Sequence, residues 1–340
     1  MAKVVTFGEI MMRLNPEGFL KFVQATRFEA SYAGGEANVA VSLANYGDDA
    51  VYCTKVPTHD IGQCAVNTLR QFGVDTSKIV RGGARLGIYF VEKGASQRGS
   101  KVIYDRAYSA IALAKREDFD WDQILDGADW FHWTGITPAL GGELPQIMLD
   151  ALKACKAKKI TVSCDLNYRS KLWSREKACE VMSELVPYVD VLIANEEDAK
   201  DVFGIEAADT DVASGKINQM GYVSVAKQLT ERFGCKAVSI TLRGSISASE
   251  NNWAGMLYMD GQAYFSKNYL IKLVDRVGGG DSFGGGLIHA MRKGMGPQET
   301  IEFAVAASCL KQTIEHDFNL VSEADVLALM GGNASGRVQR

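Results

Sequence analysis

Short runs of apolar, often β-branched residues alternate with longer helical patterns along most of this 340-residue chain, and that order restricts the fold more than any other feature of the sequence. Residues 3–7 read as a strand, 36–46 as a helix stopped by Gly47, 50–56 as a second strand, and 60–72 as a helix opened by Asp60 and closed by Gly73. Each closing glycine suits the left-handed conformation that ends many helices. Further strands are expected at 129–134, 160–165, 190–195 and 237–242, with helices at 143–156, 175–186, 196–203 and 222–233. Strand–helix–strand alternation brings successive strands into a mostly parallel sheet with helices on both faces, the α/β class.

Two segments, about 10–32 and 85–107, break this rhythm with short strand-like pieces such as Met11-Met12-Arg13-Leu14, Ile88-Tyr89-Phe90-Val91 and Lys101-Val102-Ile103-Tyr104. They predict a small accessory sheet inserted between core elements. Asp260-Gly261, flanked by apolar runs, predicts a two-residue hairpin. Residues 207–219 are polar and aperiodic and read as a loop insertion, and 331–340 as a frayed tail. The expected unit is thus one domain over 1–330.

Lys and Arg number 37 against 41 Asp and Glu, a net charge of −4, which argues against a sequence-independent nucleic-acid binder. No apolar run approaches the roughly 18 residues of a membrane span, and the N-terminal residues enter a strand without a signal-peptide pattern. Seven cysteines, scattered and without a CxxC pair, favour free thiols in a reducing cytoplasm over disulfides or zinc. With four histidines, of which His289 falls within a helix pattern and reads as a packed side chain, histidine chemistry has few candidates.

The strongest local signal is Asp275-Arg276-Val277-Gly278-Gly279-Gly280-Asp281, running into a helix expected at 284–292. Successive glycines let backbone N–H groups converge on one point, and a helix N-terminus behind them adds its positive end; together they form an anion site suited to phosphate. Asp281 would repel a resting phosphate there. It makes sense as a base taking a proton from a hydroxyl while the amides hold the transferred group, or as a plain helix cap; the segment by itself leaves both open. The Walker pattern and the protein-kinase motifs are absent. A nicotinamide dehydrogenase would need an early GxGxxG, which is also absent.

The segment resembles the [D/N]-T-x-G-A-G-D signature of the ribokinase (PfkB) family of sugar kinases, with Arg276 in place of Thr and Gly279 in place of Ala. A second family signature is matched by Ala33-Gly34-Gly35-Glu36-Ala37-Asn38, about 240 positions earlier, and Gly8-Glu9 and Asp165-Leu166-Asn167-Tyr168-Arg169 extend the likeness over roughly 3–328. Within the family the chain is most similar to 2-keto-3-deoxygluconate kinases. The resemblance implies a ribokinase-like fold with a β lid, and ATP-dependent phosphorylation of that sugar acid at its 6-hydroxyl; a neutral ketohexose such as fructose, or a silent sugar-binding protein on the same fold, are the alternatives. It makes Asp281 the base and Gly278, Gly279 and Gly280 the anion hole. As a residue at a helix N-terminus, Asp281 is expected to have a lowered pKa.

By the same resemblance Gly34 and Gly35 let the sugar approach the backbone and Asn38 bonds a hydroxyl. Tyr89, Tyr104 and Arg106 of the lid contact the substrate together with Arg169 and Asp317, the arginines holding its carboxylate. Asn167, Asn195 and the loop Thr241, Arg243 and Gly244 fall to the nucleotide; the stretch after Gly244 departs from the family's T-x-G-x-x-G. Asp198, where the family has Glu, would serve Mg²⁺ through water, and a monovalent cation such as K⁺ is implied near Asp275. Exposed lid edges invite pairing between copies into a homodimer or larger oligomer.

Overall fold

The computed structural model describes residues 3–195, 197–206 and 219–332. Fourteen strands are present among them: β1 Lys3–Phe7, β2 Met11–Asn15, β3 Glu29–Ala33, β4 Ala50–Val56, β5 Ile79–Arg81, β6 Gly87–Glu92, β7 Lys101–Asp105, β8 Ala128–Thr134, β9 Thr161–Asp165, β10 Val191–Ala194, β11 Ala237–Ser245, β12 Glu250–Met259, β13 Gln262–Phe265 and β14 Tyr269–Lys272. Ten of them form one sheet in the order β13-β12-β11-β10-β9-β8-β1-β4-β5, with β14 also on β12. Neighbours from β11 to β5 are parallel; β12, β13 and β14 form an antiparallel edge.

The parallel strands are continuous apolar runs because helices cover both sheet faces. β1 shows how the pleat divides its side chains. Val5 and Phe7 enter one core with Phe131, Trp133 and Ile147, whereas Val4 enters the other with Val39, Phe283 and Ile288. The predicted strand at 50–56 is matched residue for residue by β4, and the helices lie within a few residues of expectation. The Asp260-Gly261 turn takes φ of +51° and +76°, as a hairpin of this length requires.

The interrupting segments form the expected lid. Its four strands run β3-β2-β6-β7, and the two halves are joined by the parallel pair β2·β6, which sets Arg13 beside Tyr89.

Two expectations need correction. The glycine run is not a loop ahead of the helix: the helix spans Gly279–Arg292 with Gly278 as its N-cap. Thr241–Gly244 is not a loop either, since β11 continues to Ser245 and pairs with β12 through Ser245↔Asn251. Both misreadings come from glycine, which marks a break in sequence but is held in regular structure here by its neighbours. The loop read at 207–219 and the tail at 331–340 fall almost wholly outside the described residues, as does Glu196.

Candidate active site

All parallel strands point their carboxyl ends at one edge of the sheet, where open α/β folds bind ligands, and the lid stands over that edge. Between them lies a cleft of about 490 Å³. It is lined by Gly34, Gly35, Asn38, Tyr89, Tyr104, Arg106, Asn167, Arg169, Asn195, Asp198, Thr241, Arg243, Asp317 and the run Gly278–Asp281. The fold thus gathers nearly every residue singled out in the sequence; Gly244 and Asp275 do not reach the cleft lining.

Asp281 occupies the first turn of the Gly279–Arg292 helix, where the leading N–H groups have no intrahelical acceptor. Its Oδ2 accepts a bond from Asn38 Nδ2 at 2.6 Å, while Asn38 Oδ1 accepts from Gly34 N–H at 3.3 Å. The two partners fix the amide's orientation, so Asn38 holds the base, beyond its expected place at the sugar. The expected low pKa is reversed. Burial pushes the Asp281 carboxyl up to about 6, with nearby Asp317 adding to the rise, against the Asn38 bond and the more distant charges of Arg169 and Lys311. A helix N-terminus favours the carboxylate, but loss of water counts for more.

Two glycines are required by close approach. Gly278 has φ of +81°, and a Cβ there would lie 2.0 Å from the Asp317 carbonyl oxygen. A Cβ on Gly34 would lie 1.9 Å from the Glu9 carbonyl oxygen. Gly34 is therefore required by the junction of lid and core, whatever it does beside the cleft that it lines; Gly35 faces Asp281 with room to spare.

The lid side of the cleft carries a buried charge network. Arg13, fully buried, donates to Asp317 Oδ1 and to Asp275 Oδ2, each at 2.6 Å. Tyr89 donates to the other Asp317 oxygen at 2.8 Å and stacks on Tyr104. Asp317 therefore lines the cleft with both oxygens already engaged. Asp275, read as a cation ligand, has its carboxylate on Arg13 and its carbonyl oxygen on Lys311 Nζ at 3.0 Å; this donor set does not fit an added monovalent cation. Arg106 is neither a surface charge nor a free fork: it is buried, its Nε and Nη2 bind Glu9 Oε2 at 2.7 and 2.5 Å, and it packs over the Tyr104 ring.

On the sheet side the charges are not matched. Arg169 is exposed, donates only to the Tyr168 carbonyl oxygen at 2.8 Å, and forms no ion pair among the described residues. Asp165 and Asp198 share this end of the cleft, and burial raises both carboxyls, Asp198 raising Asp165 further and Arg169 drawing each back. Asp198 accepts backbone N–H bonds from Tyr168 at 3.1 Å and Asn195 at 2.9 Å, and Asn195 Oδ1 accepts from the amides of Glu197 and Asp198. Asn195 and Asp198 thus cap each other's turn while facing the cleft, and two carboxyls at this end, with the exposed Arg169 as the cation that offsets them, are a donor set that suits a hydrated divalent ion.

Sequence reasoning gave no role to Glu9, Arg13, Glu36, Asp165, Asn251 or Lys311. Asp165 had a signal, a carboxylate ending a core strand. Glu36 is buried under the floor and its Oε1 accepts from Thr134 and Thr137 hydroxyls, each at 2.8 Å; burial pushes its carboxyl up to about 7. Asn251 presents a buried amide to the cleft with neither end partnered, in a stretch whose sequence follows no family pattern.

A lidded cleft at the carboxyl edge of a parallel sheet, with a raised carboxylate among helix-start amides, defines an α/β group-transfer enzyme. The chain belongs to the pfkB family of carbohydrate kinases, whose profile matches residues 1–315. It is 53% identical to the crystal structure of a 2-dehydro-3-deoxygluconokinase from Thermotoga maritima, with a TM-score of 0.94 over 98% of this chain and 100% of that one. It is 34% identical to a PfkB family carbohydrate kinase from Listeria grayi, with a TM-score of 0.90 over 97% of this chain and 99% of that one. A 2-dehydro-3-deoxygalactonokinase of Haloferax volcanii is 31% identical over 98% of both chains. Among the described residues no helix is long and apolar enough to cross a membrane, and all seven cysteines are free thiols.

Proposed function

We propose that the protein phosphorylates 2-keto-3-deoxygluconate, the same compound as 2-dehydro-3-deoxygluconate, at its 6-hydroxyl with ATP as donor. The observation that carries this reading is the pairing of two features in one cleft: Asp281 held on Asn38 at the helix-start amides, and Arg169, exposed and in no ion pair among the described residues. A base beside an anion hole is what transfer of a phosphoryl group to a hydroxyl needs, and an unpaired guanidinium is what a substrate carboxylate needs. The names of the Thermotoga and Haloferax relatives point to the same class of sugar acid.

In this reading Asp281 takes the proton of the 6-hydroxyl as its oxygen bonds to the γ-phosphorus and the bond to the β-phosphate oxygen breaks. The amides of Gly278 and Gly280 hold the charge on the transferred group, while the Gly279 N–H is held on the Arg276 carbonyl oxygen at 3.2 Å. A carboxyl near 6 is ionised at neutral pH yet basic enough to accept that proton. Arg169 orients the substrate carboxylate, with Tyr89, Tyr104 and Gly35 beside the sugar. Asn195, Thr241 and Arg243, with the unpartnered amide of Asn251, face the nucleotide. Asp198 and Asp165 would hold Mg²⁺ through its water shell; that ion supplies charge neutralisation on the phosphates.

The lid strands β3 and β7 each leave one edge unpaired within the lid, which supports association with a second copy there, and seven free thiols support a reducing, cytoplasmic setting. The test is ADP release across a panel containing 2-keto-3-deoxygluconate, its galacto epimer and fructose. The first should give the highest kcat/KM; preference for fructose would overturn the sugar-acid assignment, and no turnover with any sugar would overturn the catalytic one.

A further inference from the structure

Lys311 is the last residue of the helix Pro297–Lys311 and is fully buried. An ammonium has three N–H donors, and here all three are directed at backbone carbonyl oxygens: Asp275 at 3.0 Å, His316 at 2.6 Å, and Val277. These oxygens come from two separate turns. The 275–277 turn leads directly into Gly278, and the 316–317 turn carries Asp317. The carboxylates of Asp275 and Asp317 are both committed to Arg13, so the lysine is held by main-chain dipoles and not by an ion pair.

A ring of carbonyl oxygens is the coordination that a weakly hydrated monovalent cation takes in place of its water. In this protein a covalently attached charge stands in that ring. The two turns also touch at Gly278, where no Cβ fits beneath the Asp317 carbonyl. A movement of either turn is therefore passed straight to the residue that caps the phosphate-binding helix.

We propose that Lys311 is a tethered cation, which stands where a potassium ion would otherwise bind and fixes the 275–277 and 316–317 turns, so that the Gly278–Asp281 amides are set before ATP arrives and turnover needs no monovalent salt. Lys311 touches no reacting atom; it is a positioning residue. The inference rests on the kinase reading of the site but not on the choice of sugar.

The experiment measures turnover and thermal unfolding in a buffer whose only monovalent cation is tetramethylammonium, too large for the ring, with and without saturating KCl or NH4Cl. Wild-type kcat should be the same in both. Lys311→Ala should lose about 10²-fold in kcat, the scale of a misplaced anion hole, with a smaller change in KM for the sugar. Potassium or ammonium should restore most of that loss and raise the Tm of this variant, but not that of wild type. Lys311→Met, which refills the space without charge, should lose kcat and gain nothing from potassium. A wild-type enzyme that requires potassium, or a Lys311→Met variant with wild-type kcat, overturns the proposal. If the variants do not fold, the wild-type salt titration decides it. If no sugar is turned over, the kinase reading has failed instead, and the potassium dependence of Tm, compared between wild type and Lys311→Ala, still decides the tethered cation.

Discussion

On the lid side of Asp281 the buried charges meet their partners within the protein. Arg13 bridges Asp275 and Asp317, Arg106 holds Glu9, and Lys311 sits among carbonyl oxygens. On the sheet side burial raises the carboxyls of Asp165 and Asp198, and Arg169 reaches solvent without an ion pair among the described residues. The same cleft thus contains a finished half and an unfinished half. The finished half fixes geometry, because a matched network gains nothing from a ligand. The unfinished half waits for charges that only substrates bring, so specificity and binding should reside there.

Substitutions can separate these halves. The largest effect is expected on the finished side. Arg13→Met strands two buried carboxylates, and losing one member of a buried charge set typically costs about 3–5 kcal/mol; denaturant unfolding should show that loss, and an unchanged midpoint would mean the network is not a scaffold. Next comes Asp281→Asn, which keeps size and an acceptor oxygen. Folding should be retained while turnover falls about 10²-fold or more. For wild type, the carboxyl raised to about 6 must be ionised to act, so kcat/KM should hold level at neutral pH and fall with acid through that value. A flat profile through pH 6 would remove Asp281 as the titrating base.

On the unfinished side, Arg169→Ala should reduce kcat/KM for the sugar acid by roughly 10- to 150-fold, the equivalent of a charge-assisted contact of about 1.5–3 kcal/mol. A neutral sugar should lose far less. Arg169→Lys should recover only part, since it lacks the planar fork. Arg106→Ala serves as the contrast: its guanidinium already holds Glu9, so it should affect both substrates alike. Equal losses on both substrates for Arg169→Ala would erase the distinction between the halves. The smallest effect concerns Glu36. Its folded pKa, about 7, lies above its ordinary value, so the stability it favours is present below about 4.5 and lost as pH rises through 7. Glu36→Gln should therefore leave Tm nearly unchanged at pH 5 and raise it relative to wild type at pH 8.

The unfinished half was the more legible one in the sequence. Arg169, Asn195 and Asp198 lie at or just beyond the ends of core strands that the apolar pattern reveals, and Asp281 stands in a run of glycines that an anion site or a helix cap would equally explain until the family signature is seen. The finished half was hidden because its partners are remote. Arg106 and Glu9 are 97 positions apart, and Arg13 and Asp317 are 304 apart. A lysine at a helix end, such as Lys311, ordinarily reads as a solvated cap, and no local pattern tells that two turns close over it. The reversal of the Asp281 pKa has the same origin: its position at a helix start is local and readable, its loss of water is not. A second reason for Gly34 was not readable, because the carbonyl it must clear belongs to Glu9, in another strand connection.

The 304-residue separation between Arg13 and Asp317 also sets an order of events at the ribosome. At about 5–20 residues per second, roughly 15–60 s pass between synthesis of the guanidinium and synthesis of the carboxylate that completes its pairing. Through that interval Arg13 lacks at least one of its two carboxylate partners, since Asp275 lies 262 positions on and Asp317 304. The bridge from the lid strand to the 275 and 317 turns is therefore closed only once Asp317 has been made, so a chain ending before that residue cannot complete the network.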